Sequence, residues 1–225
     1  MSSLALVERA AAGPADGLLV LHHGRGSDER DMLGLGNALD PERRLHIVAP
    51  RGPLTLPGWP GYHWYRVPRV GYPDPDTFRS AYAELAQLHE ELWERTGLGP
   101  ERTVLGGFSM GSVMSYALGL GPDRPAPAGL LVFSGFIPTV EGWSPSPESR
   151  SGLRAWIAHG TRDQVMSVEF ARDARERLES AGLAVEYRES DGAHEINATD
   201  ARAASEWLTR VPGRLAPSAS EAEAS

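Results

Sequence analysis

Cysteine is absent from the 225-residue sequence. That absence excludes disulfides, thiolate metal sites and a cysteine nucleophile together, and it permits a reducing compartment. Positive charge is in short supply. The 22 Lys and Arg residues face 30 Asp and Glu, for a net charge of -8, which argues against a nucleic-acid partner because phosphate binding needs a basic face. Long apolar runs are missing too. No stretch approaches the length of a membrane span, and the amino-terminal apolar stretch carries Glu8 and Arg9, so neither a secretory signal nor stable membrane insertion is expected. The expectation is a cytoplasmic protein, with a homodimer as the candidate assembly. No cofactor or metal is called for, since no cluster of ligating residues stands out.

What remains is ordinary globular composition, 41% hydrophobic and 23% charged, in a length that suits one domain. Residues 1–210 are assigned to that domain. Residues 211–225 hold mostly Pro, Ser, Ala and Glu with little to bury, and are expected to form a disordered tail. Short apolar runs suggest strands at 4–9, 18–22, 45–49, 103–106, 129–133, 154–158 and 184–188. The middle five are nearly continuous, as strands covered on both faces should be. Helical patterns occupy 76–96, 110–118, 167–181 and 198–208, the third stopping at Gly182. The alternation predicts an α/β fold, a mostly parallel central sheet of about seven strands with helices on both faces. Chemistry in such a sheet belongs at the carboxyl ends of the strands.

The strand ending at Gly106 runs into Gly107-Phe108-Ser109-Met110-Gly111 and then a helix. A G-x-S-x-G turn between strand and helix is the setting of a nucleophile elbow, in which a serine hydroxyl is lifted above the sheet at the positive end of a helix. The competing reading is a glycine-rich turn with a serine cap. A serine hydroxyl needs a base. With the chain order serine, acid, histidine, only His159 and His194 follow Ser109, and His194 occupies a polar loop between the last strand and the last helix. His159 adjoins the turn that carries the acid. Asp163, in the turn after strand 154–158, is the candidate acid, with Asp191 and Glu195 beside His194 as weaker alternatives. An oxyanion hole needs two backbone N–H groups. Met110, after the nucleophile, supplies one candidate. Arg25, in His23-Gly24-Arg25-Gly26-Ser27-Asp28, supplies the other. A phosphate-binding turn in that glycine-rich loop lacks its usual spacing.

The loop from His23 to Glu29, the elbow Gly107–Gly111, the acid turn His159-Gly160-Thr161-Arg162-Asp163 and the base loop Gly192-Ala193-His194-Glu195-Ile196 resemble, in order, the motifs of the phospholipase/carboxylesterase family of α/β-hydrolases. The resemblance spans about residues 18–208 and includes bacterial carboxylesterases and acyl-protein thioesterases. It implies hydrolysis of short- to medium-chain carboxylic esters of small molecules without a cofactor, or of thioesters or lysophospholipids on the same triad. A catalytically silent binding protein of this fold is the alternative of another class. The chain departs from the family pattern at His22, where an apolar residue usually precedes the His-Gly pair, and across residues 59–72. Two aromatic loops are the expected substrate walls, Trp59, Trp64 and Tyr65 in one and Phe136, Ile137 and Trp143 in the other. Packing of the loops themselves explains the same residues equally well.

Overall fold

The computed structural model describes residues 2–211. Among these residues seven strands form one sheet: β1 (Leu6–Arg9), β2 (Gly17–His22), β3 (Leu45–Pro50), β4 (Thr103–Phe108), β5 (Gly129–Phe133), β6 (Arg154–Gly160) and β7 (Ala184–Ser190). Their order across the sheet is β1-β3-β2-β4-β5-β6-β7. Only β1 runs antiparallel, against β3 at the edge, and the other pairs are parallel. Central strands β2, β4 and β5 are buried almost throughout, which is why their sequences read as unbroken apolar runs.

Parallel neighbours need crossovers; of the five α-helices among the described residues four lie between strands, and the fifth follows the last strand. The five are α1 (Glu29–Leu39), α2 (Pro75–Thr96), α3 (Met110–Leu120), α4 (Glu169–Ser180) and α5 (Ala198–Leu208). Helices α2, α3 and α4 pack with Leu18, Val20, Leu105, Leu130, Val132 and Ile157 on one face of the sheet. On the other face, α1 and α5 pack with Leu19, Leu21, Ile47, Leu131, Phe133 and Trp156. Alternate residues of each strand thus feed two separate cores. Every residue of α3 is buried, so the helix that follows the elbow is fixed on all sides.

Helix ends follow local chemistry. Asp28 caps α1 by accepting from the Arg30 and Asp31 amides, and Asp74 caps α2 by accepting from Thr77, with Pro75 in the first turn. Gly97, with φ of 67°, ends α2. Two differences from the sequence pattern stand out. Helix α1 is additional to the four expected helices. Val211, assigned to the tail, is buried instead and joins the core with Trp207 and Leu208; residues 212–225 of that assignment lie outside the described residues.

The long connection between β3 and α2 is pinned by isolated antiparallel bridges, Ser27 to Tyr62, Leu54 to His63 and Arg69 to Tyr72. It therefore lies against the loop after β2, at the same carboxyl edge of the sheet as the elbow after β4.

Candidate active site

The turn from β4 into α3 places Ser109 at φ 55° and ψ -120°. A non-glycine residue there costs about 1–3 kcal/mol and is held only by its surroundings. Those surroundings are tight. A Cβ on Gly107 would come within 2.6 Å of the Gly111 carbonyl carbon, and one on Gly111 would run into the His22 carbonyl. Only glycine fits either flank. The Ser109 amide donates to the Phe133 carbonyl at 2.9 Å. Ser112, a turn further along α3, donates to the Gly107 and Phe133 carbonyls at 2.5 and 2.8 Å and accepts from the Phe133 amide at 3.1 Å. The elbow is thus bolted to β5 by a buried hydroxyl.

His194 reaches Ser109 from the loop between β7 and α5. Its Nε2 lies 2.8 Å from Ser109 Oγ, and its Nδ1 lies 2.6 Å from Asp163 Oδ2. Phe108 lies against the imidazole with ring centroids 4.8 Å apart. Asp163 sits in the turn after β6, its side chain wholly buried. Its Oδ1 accepts from the amides of Val165 and Met166 at 2.9 and 2.8 Å. Burial by itself would raise this carboxyl; the hydrogen bonds from His194 and from the Met166 and Val165 amides outweigh it and hold the group below the usual carboxylate range. Asp163 therefore stays ionised opposite the imidazole.

His159, the other histidine after Ser109, approaches the same carboxylate oxygen as His194. Its Nε2 donates to the Met166 carbonyl at 2.8 Å and lies 3.3 Å from Asp163 Oδ2. Burial pushes its pKa down, so the ring is neutral. The alternative acid Asp191 points outward and pairs with Arg162 at 2.8 Å. Glu195 is exposed.

The loop after β2 faces the elbow. Gly26 donates to the Tyr62 carbonyl and Ser27 to the Gly24 carbonyl, but among the described residues no acceptor engages the amides of Arg25 or Met110. These two N–H groups belong to residues that line the same cavity as Ser109 and His194. The cavity measures about 620 Å³. Besides the elbow and the Arg25 loop, it is lined by Met32, Trp59, Tyr65, Val67, Phe136 and Met166, among others.

Of the six expected wall residues, Trp59, Tyr65 and Phe136 line this cavity, whereas Trp64, Ile137 and Trp143 do not. Trp64 is fully buried. Its indole donates to the His23 carbonyl at 2.9 Å and its ring packs on His22 and His23. It supports the Arg25 loop from behind instead of facing a ligand. Ile137 belongs to the core on the α2–α4 side of the sheet. Trp143 leans on Phe78 of α2, ring centroids 5.9 Å apart. In these three the demand for packing wins over display. The sequence pattern missed Phe108, Met32, Val67 and Met166. Phe108 and Met166 were within reach of it, because they adjoin Ser109 and Asp163 in the chain. Met32 and Val67 carry no local signal.

Comparison with known proteins bears on the family and the fold. The chain is 26% identical over 195 residues to the putative hydrolase MhqD of Bacillus subtilis, covering 87% of this chain and 94% of that protein. It is 26% identical over 201 residues to lysophospholipase-like protein 1 of Mus musculus, covering 85% and 84%. Among solved structures, esterase PE8 matches with 29% identity and a TM-score of 0.78 over 92% of this chain and 99% of that one. The Bacillus cereus carboxylesterase, at 22% identity, shares the fold with a TM-score of 0.80 over 92% and 94%. The fold is that of the α/β-hydrolases. The profile of one family, described as phospholipase/carboxylesterase, matches residues 5–211, and the chain belongs to that family.

Proposed function

We propose that the protein is a serine hydrolase that cleaves carboxylic esters of short to medium acyl chain through an acyl-Ser109 intermediate. One observation carries this reading. A single imidazole bridges a serine hydroxyl at 2.8 Å and a buried carboxylate at 2.6 Å, inside a mostly apolar cavity. Serine becomes nucleophilic only when a base of this kind accepts its proton.

In the proposed cycle His194 Nε2 takes the Ser109 proton as Oγ attacks the ester carbonyl. Asp163 accepts from Nδ1–H, which fixes the tautomer and stabilises the imidazolium. The oxyanion is received by the Arg25 and Met110 amides, the latter at the amino end of α3, where the helix dipole favours negative charge. His194 then returns the proton to the departing alcohol. Water then attacks the acyl carbonyl as the same nitrogen takes its proton, and His194 passes that proton to Ser109 Oγ as the acid leaves. Trp59, Tyr65 and Phe136 supply apolar surface for the acyl or alcohol part.

The same steps suit an acyl thioester, and the acyl-protein thioesterase of Debaryomyces hansenii, 26% identical over 149 residues, favours keeping that substrate in view. The test is a chain-length series of p-nitrophenyl esters beside acyl-CoA thioesters, with Ser109→Ala as control. Turnover of esters that vanishes in the variant supports the reading. Turnover of thioesters alone would replace the substrate class. Absence of all turnover would leave a ligand-binding protein of this fold.

A further inference from the structure

The cavity over Ser109 is apolar along most of its wall, yet two arginines are among its lining residues, Arg25 and Arg69. Each guanidinium carbon lies over an aromatic ring. Arg25 sits 3.8 Å from the centroid of Trp59, and Arg69 sits 3.7 Å from that of Tyr72. Arg69 and Tyr72 are also tied by an antiparallel bridge, with the Tyr72 amide donating to the Arg69 carbonyl at 3.0 Å. Both arginines are exposed, as are Trp59 and Tyr72. These two cation–aromatic pairs therefore stand on the open side of the cavity.

Neither guanidinium is neutralised. Arg51, Arg162 and Arg172 have carboxylate partners at 2.5, 2.8 and 2.6 Å, whereas among the described residues Arg25 and Arg69 have none and donate no side-chain hydrogen bond. Among the described residues the cavity wall holds one carboxylate, Asp31, which accepts from the Ser27 hydroxyl at 2.6 Å and forms no ion pair with either arginine. In a chain of net charge -8, this wall is a local exception, with two cations against one carboxylate. Stacking explains how they are kept in place. The ring attracts the cation and restricts the side chain, while its N–H groups, unpaired among the described residues, stay free for an oxygen anion.

We infer that this opening is an anion subsite, and that the preferred substrates are esters carrying a second, anionic group, a carboxylate being its simplest form. This rests on the esterase reading of Ser109. The ester carbonyl lies at Ser109, the apolar wall takes the connecting carbons, and the anion lies between Arg25 and Arg69. A purely hydrocarbon ester fills the wall and leaves both cations without a partner.

Matched ester pairs test the inference on the full-length enzyme. One pair puts the charge on the acyl side, mono-p-nitrophenyl adipate against p-nitrophenyl heptanoate. The other puts it on the alcohol side, p-butyryloxybenzoate against p-butyryloxybenzamide. At low ionic strength the charged member of one pair should have the higher kcat/KM, on the order of tenfold. The pair that responds identifies which side of the ester carries the anion. That preference should shrink in about 0.5 M salt, where charges are screened beyond roughly 4 Å. Arg69→Gln should cut the ratio of charged to neutral kcat/KM by about threefold, and the double variant Arg25→Gln/Arg69→Gln should abolish it. Each substitution keeps the backbone amide. If the neutral esters are hydrolysed equally well or better in both pairs, or if the preference survives in the double variant, the anion subsite is wrong and the esterase reading stands. If no ester is hydrolysed at all, both fall.

Discussion

Acidification should destabilise this protein through His22, and the size of the effect can be worked out. The ring ends β2, is fully buried, and places Nδ1 2.9 Å from Ser115 Oγ. Ser115 already donates to the Gly111 carbonyl at 3.0 Å, so its hydroxyl accepts from His22 Nδ1–H. Nε2 is buried with no partner among the described residues. Trp64 meets the ring edge-on, and His89 lies 5.8 Å away between centroids. Burial foremost, then the neighbouring His23, pushes the pKa down to about 3, against a smaller opposing pull from the Gly106 carbonyl. In the unfolded chain the value returns to about 6.5. The unfolded state therefore takes up the proton first as pH falls. The stabilising contribution is complete above about pH 6.5 and is lost progressively down to the folded value. At about pH 4.5, two units into that window, the loss from His22 alone is about 2.7 kcal/mol. That is a large part of a typical stability of about 5–15 kcal/mol. His89, also buried, is shifted well down in the same direction, first by burial and then by His22. The assay is urea unfolding followed by tryptophan fluorescence at about pH 7.5 and about pH 4.5 in wild type and His22→Asn, which keeps a donor toward Ser115. Whatever the variant costs at neutral pH, its stability should fall less on acidification, by about 2.7 kcal/mol. The same acid-induced loss in both proteins would refute the assignment.

Other consequences separate chemistry from packing. Asp163→Asn should keep the fold and lower kcat by about three to four orders of magnitude through a wrong tautomer, while Asp191→Asn, at an exposed ion pair, should change it little; comparable losses would reassign the acid. Trp64→Ala should cost about 3–5 kcal/mol of stability by emptying a buried site, read as a lower urea midpoint, and slow all esters in proportion. Trp59→Ala, at an exposed cavity wall, should leave the midpoint nearly unchanged and alter the ratio of kcat/KM for butyrate and octanoate esters by about tenfold. His159→Gln should lower kcat by about tenfold or more with little change in KM, because it loosens Asp163 and touches no substrate; a fall in melting temperature with kcat intact would leave His159 a packing residue.

The fold was legible where burial is two-sided. Strand β5 and helix α5 match the sequence pattern residue for residue, at 129–133 and 198–208, because unbroken apolar runs and capped amphipathic stretches leave little choice. Helix α1 was not. Its Gly34 and Gly36 weaken the helical signal, yet a Cβ on Gly36 would crowd Ile47 and Leu21, so the residue that hides the helix is what lets it lie close to the sheet. The parallel pairing of β2 with β3 required such a crossover, and topology could have found it where periodicity could not. At the site, Ser109, Asp163 and His194 were legible because each ends a strand or sits in a loop at the carboxyl edge, and chain order separated them from look-alikes. The wall residues were harder. Trp59 and Trp64 stand in one aromatic stretch, but the first lies at an exposed turn near Gly58 and the second donates its indole N–H to the His23 carbonyl. That difference is made by tertiary partners some forty residues away and leaves no trace in local composition. His159 was read as a neighbour of the acid turn; that its ring braces Asp163 depends on the distance between atoms, not on spacing in the chain.

The most direct measurement is covalent labelling of the native enzyme with a fluorophosphonate, followed by peptide mass spectrometry. An organophosphonate adds only to a serine whose proton is taken by a base while amides hold the resulting oxyanion. One adduct per chain is expected, on Ser109 within the peptide that carries Gly107–Gly111, and it should disappear in Ser109→Ala and be strongly slowed in His194→Ala. A label on another residue, or none on a folded protein, would contradict the assignment of Ser109 as the nucleophile.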